Sequence, residues 1–124
     1  MEPEPKKKTI LIAEDEQHNM ELATMILSML NVRIIHAQNG QEAVDLFANN
    51  PDTSIILMDL KMPKMNGLEA TRIIREGGAS IPIIALTAQA MEGDREKALE
   101  AGCNDYITKP VSFKQLLEKV KEYL

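Results

Sequence analysis

"IILMDLKMPKMNGLEA" (residues 55–70) carries an unbroken apolar run into Asp59 and then breaks at Pro63, Asn66 and Gly67. A short continuous apolar run bounded by turn residues is the pattern of a strand covered on both faces, as in a parallel sheet. The strand is expected over residues 54–59, with a carboxylate at its end that packing alone does not require. Two other runs share the pattern: "TILIA" (9–13), followed by Glu14, Asp15 and Glu16, and "IPIIALT" (81–87), which ends on Thr87. "VRIIHA" (32–37) is more mixed and "DYITK" (105–109) shorter, so both suit outer strands.

Helical periodicity fills the intervals. Leu22, Ile26, Met29 and Leu30 mark a first helix, Ala43 and Phe47 a second, and Ala70, Ile73 and Ile74 a third. A fourth is expected from Met91 to Ala101, stopped by Gly102, a residue suited to a left-handed cap. The fifth aligns Phe113, Leu116, Leu117, Val120 and Leu124 on one face. Asn39 with Glu42, and Ser112 with Gln115, place a capping residue three positions before Glu or Gln, a spacing that can satisfy free helix amides reciprocally. The sum is five βα units, which implies an α/β fold: a parallel five-stranded sheet between two helix layers. Residues 1–8, "MEPEPKKK", lack periodicity and read as a flexible tail ahead of one domain at 9–124.

Composition limits the function classes. A chain of 124 residues that is 44% apolar suits a single domain with its own core. The formal net charge of -5, with basic residues scattered after Lys6, Lys7 and Lys8, offers no cationic face for a phosphate backbone, so no direct nucleic-acid partner is expected. Cys103 is the single cysteine, which excludes an internal disulfide or a Cys-based metal cage and fits a small buried side chain in a reducing compartment. No apolar stretch approaches the roughly 20 residues of a membrane span. A soluble cytoplasmic protein is expected.

In an open α/β sheet the ligand crevice lies outside the carboxyl ends of the strands. Polar residues gather there: Glu14, Asp15 and Glu16 after the first strand, Asp59 after the third, Thr87 after the fourth, and Lys109 with Pro110 after the fifth. Crowded carboxylates favour a hard divalent cation with oxygen ligands, for which Mg²⁺ is the natural candidate. Zinc lacks its Cys or His partners, and the spaced acids of a calcium loop are absent from the sequence. A carboxylate beside Mg²⁺, an ammonium and a hydroxyl is equipped to accept a phosphoryl group.

"ILIAEDE", "LMDLKMPKMNGLEATRIIRE", "IIALTAQAM" and "AGCNDYITKPVS", in this order, resemble the receiver domain of two-component response regulators, over essentially all of residues 9–124. The look is most similar to single-domain regulators of cell division and to the receivers of hybrid histidine kinases. The resemblance implies a flavodoxin-like three-layer sandwich with strand order 2-1-3-4-5. It implies Asp59 as phosphoacceptor and Asp15 as a direct Mg²⁺ ligand. Lys61 would serve the metal through its backbone carbonyl, and Glu14, where many members carry Asp, would act through water. Lys109 would pair with Asp59 and then with the phosphoryl group. A cis peptide before Pro110 is plausible. Thr87 and Tyr106 would form the switch, and Lys61 and Gln89 would influence hydrolysis. A histidine kinase or histidine phosphotransfer protein would donate. The fourth helix, fifth strand and fifth helix would meet a downstream partner. Such a domain is a signalling module that catalyses its own phosphorylation and dephosphorylation, not an enzyme with an external substrate.

Rival readings stay beside this one. A haloacid-dehalogenase-type phosphatase also uses an aspartyl nucleophile with Mg²⁺ but needs a second Asp where Lys61 stands, and a flavin-binding phosphate loop is opposed by "EDEQHN". No G-x-x-x-x-G-K-[ST] nucleotide loop occurs. A degenerate receiver, acting only as a protein-binding module, would retain the fold. Taken singly, each acid can be a dipole partner at a helix start, Thr87 a turn cap, and Tyr106 an ordinary surface residue. Glu16 is expected to face solvent, His18 and His36 to be solvated or satisfied, and Met62 and Met65 to pack.

Overall fold

The computed structural model describes residues 7–87 and 93–124. Met91 and Gln89, named above, lie outside them, as does most of the expected tail.

The strands are β1 (Thr9–Ala13), β2 (Arg33–Ala37), β3 (Ile55–Asp59), β4 (Ile83–Thr87) and β5 (Asp105–Thr108). The helices are α1 (Gln17–Leu27), α2 (Gly40–Asn49), α3 (Gly67–Glu76), α4 (Asp94–Ala101) and α5 (Phe113–Tyr123), with a 3₁₀ turn at Ser28–Leu30. All strand pairs are parallel, in the order β2-β1-β3-β4-β5. The mixed β2 and the short β5 lie at the edges, as their composition demands.

The unbroken apolar runs of the three inner strands are two interleaved sets. Ile10, Ile12, Ile55, Leu57, Ile84 and Leu86 join Ile26, Leu27, Leu116 and Val120 in a core on the α1 and α5 side. Leu11, Ala13, Ile56, Met58, Ile83 and Ala85 join Ala43, Ala70, Ile74, Ala98 and Cys103 in a second core on the opposite side. Each large aliphatic side chain buried this way stabilises the fold by about 1.5–3 kcal/mol. Met62 and Met65 pack against the second core. Among the described residues no helix is long and apolar enough to cross a membrane.

The helix faces differ from the sequence pattern in three places. On α1 the buried stripe is Met20, Ile26 and Leu27, with Ala23 and Leu30 packed beside it, whereas Met29 is 65% exposed and Leu22 lies at the surface. The α-helix ends at Leu27 and tightens into the 3₁₀ turn, whose three-residue period turns Met29 outward. On α3, Ile73 is exposed while Thr71 is buried in its stead. Phe113, the first residue of α5, is 51% exposed, where the helix has not yet closed on the sheet.

Strand limits shift by a residue or two. β4 starts at Ile83, after Pro82, which has no N–H to donate but accepts from Ile56 N–H at 3.0 Å. β5 ends at Thr108, and the Lys109–Pro110 peptide that follows is cis. Asn39 Oδ1 caps α2 by accepting from Glu42 N–H at 2.8 Å, but Glu42 Oε1 answers Gln38 N–H, one residue before the cap. Ser112 Oγ accepts from Gln115 N–H at 2.9 Å. A third cap, unmarked in the sequence analysis, is Asn66, whose Oδ1 accepts from Glu69 N–H at 2.9 Å. Gly102 closes α4 in the left-handed conformation at φ 115°.

The loop after β3 is wedged between two helix starts. A Cβ on Gly67 would lie 2.2 Å from the Asp59 carbonyl oxygen, and one on Gly40 would lie 2.3 Å from the Met65 carbonyl oxygen. Neither contact can be relieved by a side-chain rotation, because both partners are backbone. Gly67→Ala is therefore expected to lose about 1–3 kcal/mol in urea unfolding. Gly77→Ala, at φ -74° with its nearest atom 3.4 Å away, is expected to change stability by less than about 1 kcal/mol.

Candidate functional site

Sheet register decides which side chains meet. β1 and β3 pair Ala13 with Met58, so Glu14 and Asp59 leave neighbouring strands side by side. β3 and β4 pair Asp59 with Leu86, which places Thr87 one step beyond. β4 and β5 pair Thr87 with Thr108, and Lys109 N–H then donates to Thr87 O at 2.7 Å.

Lys109 Nζ sits 2.8 Å from Glu14 Oε1 and 3.1 Å from Asp59 Oδ2. Both acids are nearly sealed from solvent, at 2% and 5% exposure, while Asp15 beside them is exposed. Asp59 Oδ1 accepts the Lys61 backbone N–H at 3.2 Å. His36, at the end of β2, has its Nε2 2.9 Å from the Glu14 carbonyl oxygen. A carbonyl can only accept, so His36 Nε2 carries the proton and steadies the turn that holds the acids.

The electrostatics follow from burial and crowding. Desolvation, reinforced by the neighbouring Glu14 carboxylate, pushes Asp59 up to about 7. Burial also acts to raise Glu14, but hydrogen bonds from Asp59 and Lys109, together with the Lys109 charge, outweigh it and leave Glu14 below its ordinary value. Lys109 is penalised by burial yet held above the ordinary lysine value by its two carboxylates. The two acids thus share one ammonium.

Glu14, Asp15 and Asp59 each offer an oxygen within 4.8 Å of the others. With both buried acids ionised, Glu14 Oε2 has no hydrogen-bond donor. Hard oxygen donors in this number, one of them buried without a partner, fit a divalent cation of the Mg²⁺ kind.

The structure thus brings Glu14, Asp15, Asp59, Lys61, Thr87 and Lys109 around one cleft of about 310 Å³. Glu16 adds an exposed carboxylate at its edge and His18 is exposed, as expected. Tyr106 stands apart, half-buried on β5, with the Arg95 guanidinium 5.5 Å from its ring centroid. A larger apolar cleft of about 520 Å³ runs between α1 and α5 on the far side of Lys109. Three features went unread in the sequence: the direct Glu14–Lys109 pair, the His36 contact and Arg95. The strand order places Glu14 beside Asp59, but nothing in the residue pattern says that one ammonium will serve both.

Comparison with known proteins agrees with this geometry. The family model "Response regulator receiver domain" matches residues 10–121. The polar-differentiation response regulator DivK of Brucella anthropi is 39% identical, over 94% of this chain and 96% of that protein. Hybrid signal transduction histidine kinase I of Dictyostelium discoideum is 44% identical over 90% of this chain, which spans 7% of that kinase's length. Among solved structures, the receiver domain of the Pseudomonas aeruginosa sensor histidine kinase PA1611, with magnesium coordinated in its active-site cleft, superposes with TM-score 0.85 at 38% identity, covering 95% of this chain and 98% of that one. The Saccharomyces cerevisiae Ssk1 receiver domain, crystallised with the histidine phosphotransfer protein Ypd1, gives TM-score 0.87 at 36% identity, covering 94% and 88%. With cell-division and hybrid-kinase relatives both present and the 2-1-3-4-5 sheet in place, the chain belongs to the response regulator receiver domain family of two-component and phosphorelay signalling.

Proposed function

We propose that this chain accepts a phosphoryl group on Asp59 from a phosphohistidine and so switches a protein-binding face. The observation that carries this is the Lys109 ammonium bridging two buried carboxylates beside an exposed third, Asp15. A carboxylate oxygen of Asp59 attacks phosphorus, the phosphorus–nitrogen bond breaks, and its electron pair stays on the leaving imidazole. Lys109 Nζ transfers its hydrogen bond from the carboxylate to a phosphoryl oxygen, and Thr87 Oγ1 supplies a hydroxyl on the same rim. Asp15 and Asp59, the Lys61 carbonyl, and Glu14 through water would hold Mg²⁺, which when bound supplies positive charge against the phosphoryl oxygens. Hydrolysis of the acyl phosphate on the same site completes the module's own cycle.

The donor is a histidine kinase or histidine phosphotransfer protein, in keeping with the pairing of the Ssk1 receiver with Ypd1. The reading assigns output to the face made by α4, β5 and α5, where Thr87 and Tyr106 respond to the added charge. Residues 9–124 form the working domain and the setting is the cytoplasm. A dehalogenase-type phosphatase is disfavoured because Lys61, in the place of its second acid, offers no carboxylate to protonate a leaving group.

Crowding at the rim has a cost in the metal-free protein. The folded value of Asp59, raised from 3.8 to about 7, means that the folded chain binds the proton more tightly than the unfolded chain. The associated stability is present below the unfolded value and is lost as pH rises through about 7. Without metal, Asp59→Asn is expected to raise the melting temperature at pH 8, by roughly 3–6 °C per kcal/mol released, and the gain should shrink towards pH 5. Millimolar Mg²⁺ should raise the native melting temperature by mass action, more at pH 8 than at pH 6, and Asp15→Asn should remove most of that rise. Incubation with a small acyl phosphate and Mg²⁺ should add one phosphoryl group by intact mass. Asp59→Asn should take up none, and Lys109→Ala should be slower by about 10²-fold. Equal labelling of the native chain and Asp59→Asn would sink the assignment.

A further inference from the structure

α4 is held differently at its two ends. At the C-terminal end, Arg75 Nε donates to Gly102 O at 2.9 Å, Nη1 to Ala79 O at 3.0 Å and Nη2 to Asn104 Oδ1 at 2.8 Å. Asn104 Oδ1 also takes the Ile83 N–H at 2.9 Å, so this end is fastened to α3 and β4 together. Ala98 and Ala101 are buried beneath it. At the N-terminal end, Gly93 N–H finds Glu96 Oε2 at 2.8 Å, a tie within the same turn. The side-chain contact that joins this turn to β5 among the described residues is the Arg95 guanidinium over the Tyr106 ring, 5.5 Å from its centroid. Arg95 is otherwise exposed, and Tyr106 is half-buried.

We propose that Arg95 is a positioning residue that holds the Tyr106 ring in its half-buried resting place against the second core and thereby sets the resting balance of the switch. This deepens the phosphoacceptor reading above and rests on it. An exposed guanidinium over a half-buried aromatic ring is attractive, and its loss changes a two-state equilibrium about two- to fivefold. Register places Tyr106 opposite Ala85 and Thr108 opposite Thr87, and in the proposed switch the ring leaves the Arg95 guanidinium when it turns towards Thr87. Each inward turn therefore breaks the contact. The first turn of α4 is then released while Arg75 still fastens the other end, and the helix can tilt about Gly102. Arg95 and the phosphoryl group thus bias the same element in opposite directions.

The test uses the full chain with carbon-13 tyrosine, first free of metal and then with Mg²⁺ and beryllofluoride as the phosphoryl mimic. Arg95→Ala is expected to raise the inward Tyr106 rotamer population, read from χ1 couplings, about two- to fivefold in the metal-free protein. Arg95→Lys, which keeps a cation, is expected to restore part of the native balance. Beryllofluoride should bind Arg95→Ala more tightly by the same factor, because the competent state is more populated. An unchanged metal-free rotamer population in Arg95→Ala overturns the proposal. So does a changed population with unchanged affinity in a chain that otherwise binds beryllofluoride. If the native chain takes up no beryllofluoride, the phosphoacceptor reading fails, and the metal-free rotamer measurement alone decides the role of Arg95.

Discussion

A single ammonium between two buried carboxylates organises the active rim. Glu14 and Asp59 are side by side because parallel register leaves them nowhere else to go, and without a counter-charge their burial would be strongly unfavourable. Lys109 reaches them from β5, two strands away from β3. Breaking such a buried set by removing its cation typically costs about 3–5 kcal/mol. The ends of β1, β3 and β5 are thus tied electrostatically as well as by the last backbone hydrogen bonds of the sheet, such as Lys109 N–H to Thr87 O.

The remainder of the molecule keeps that rim in register. Two separate apolar layers, one under α1 and α5 and one under α2, α3 and α4, clamp the sheet from both sides. Inner strands with no exposed face leave little freedom for a slip, since one residue of slip would exchange the two side-chain sets. At the periphery, among the described residues, α4 is fastened at its Gly102 end by the Arg75 guanidinium and meets β5 at its other end through Arg95 on Tyr106.

Much of this was legible in the sequence, for identifiable reasons. The short apolar runs at 9–13, 54–59 and 81–87 have the length and pattern of two-sided strands, and the positions of Glu14, Asp59, Thr87 and Lys109 follow from where those strands and β5 end. Helix orientation was less legible: Met20 is buried with Ile26 and Leu27 on α1, whereas Met29 is exposed, because it lies in a 3₁₀ turn that changes the period within a single apolar pattern. The sharing of Lys109 between two acids, and the stacking of Arg95 on Tyr106, depend on side-chain reach across elements far apart in the chain. Periodicity carries no information about that.

The glycine contacts around residues 60–66 bear on how chains of this architecture diversify. Gly40 and Gly67 meet the carbonyls of Met65 and Asp59 with no room for even one carbon. An inserted or deleted residue in that segment would push two helices and the acidic residue at once, so its length is locked. Variation is left to outward-facing side chains such as Lys61, and at Lys64 it is narrowed to residues that accept a left-handed backbone at φ 65°.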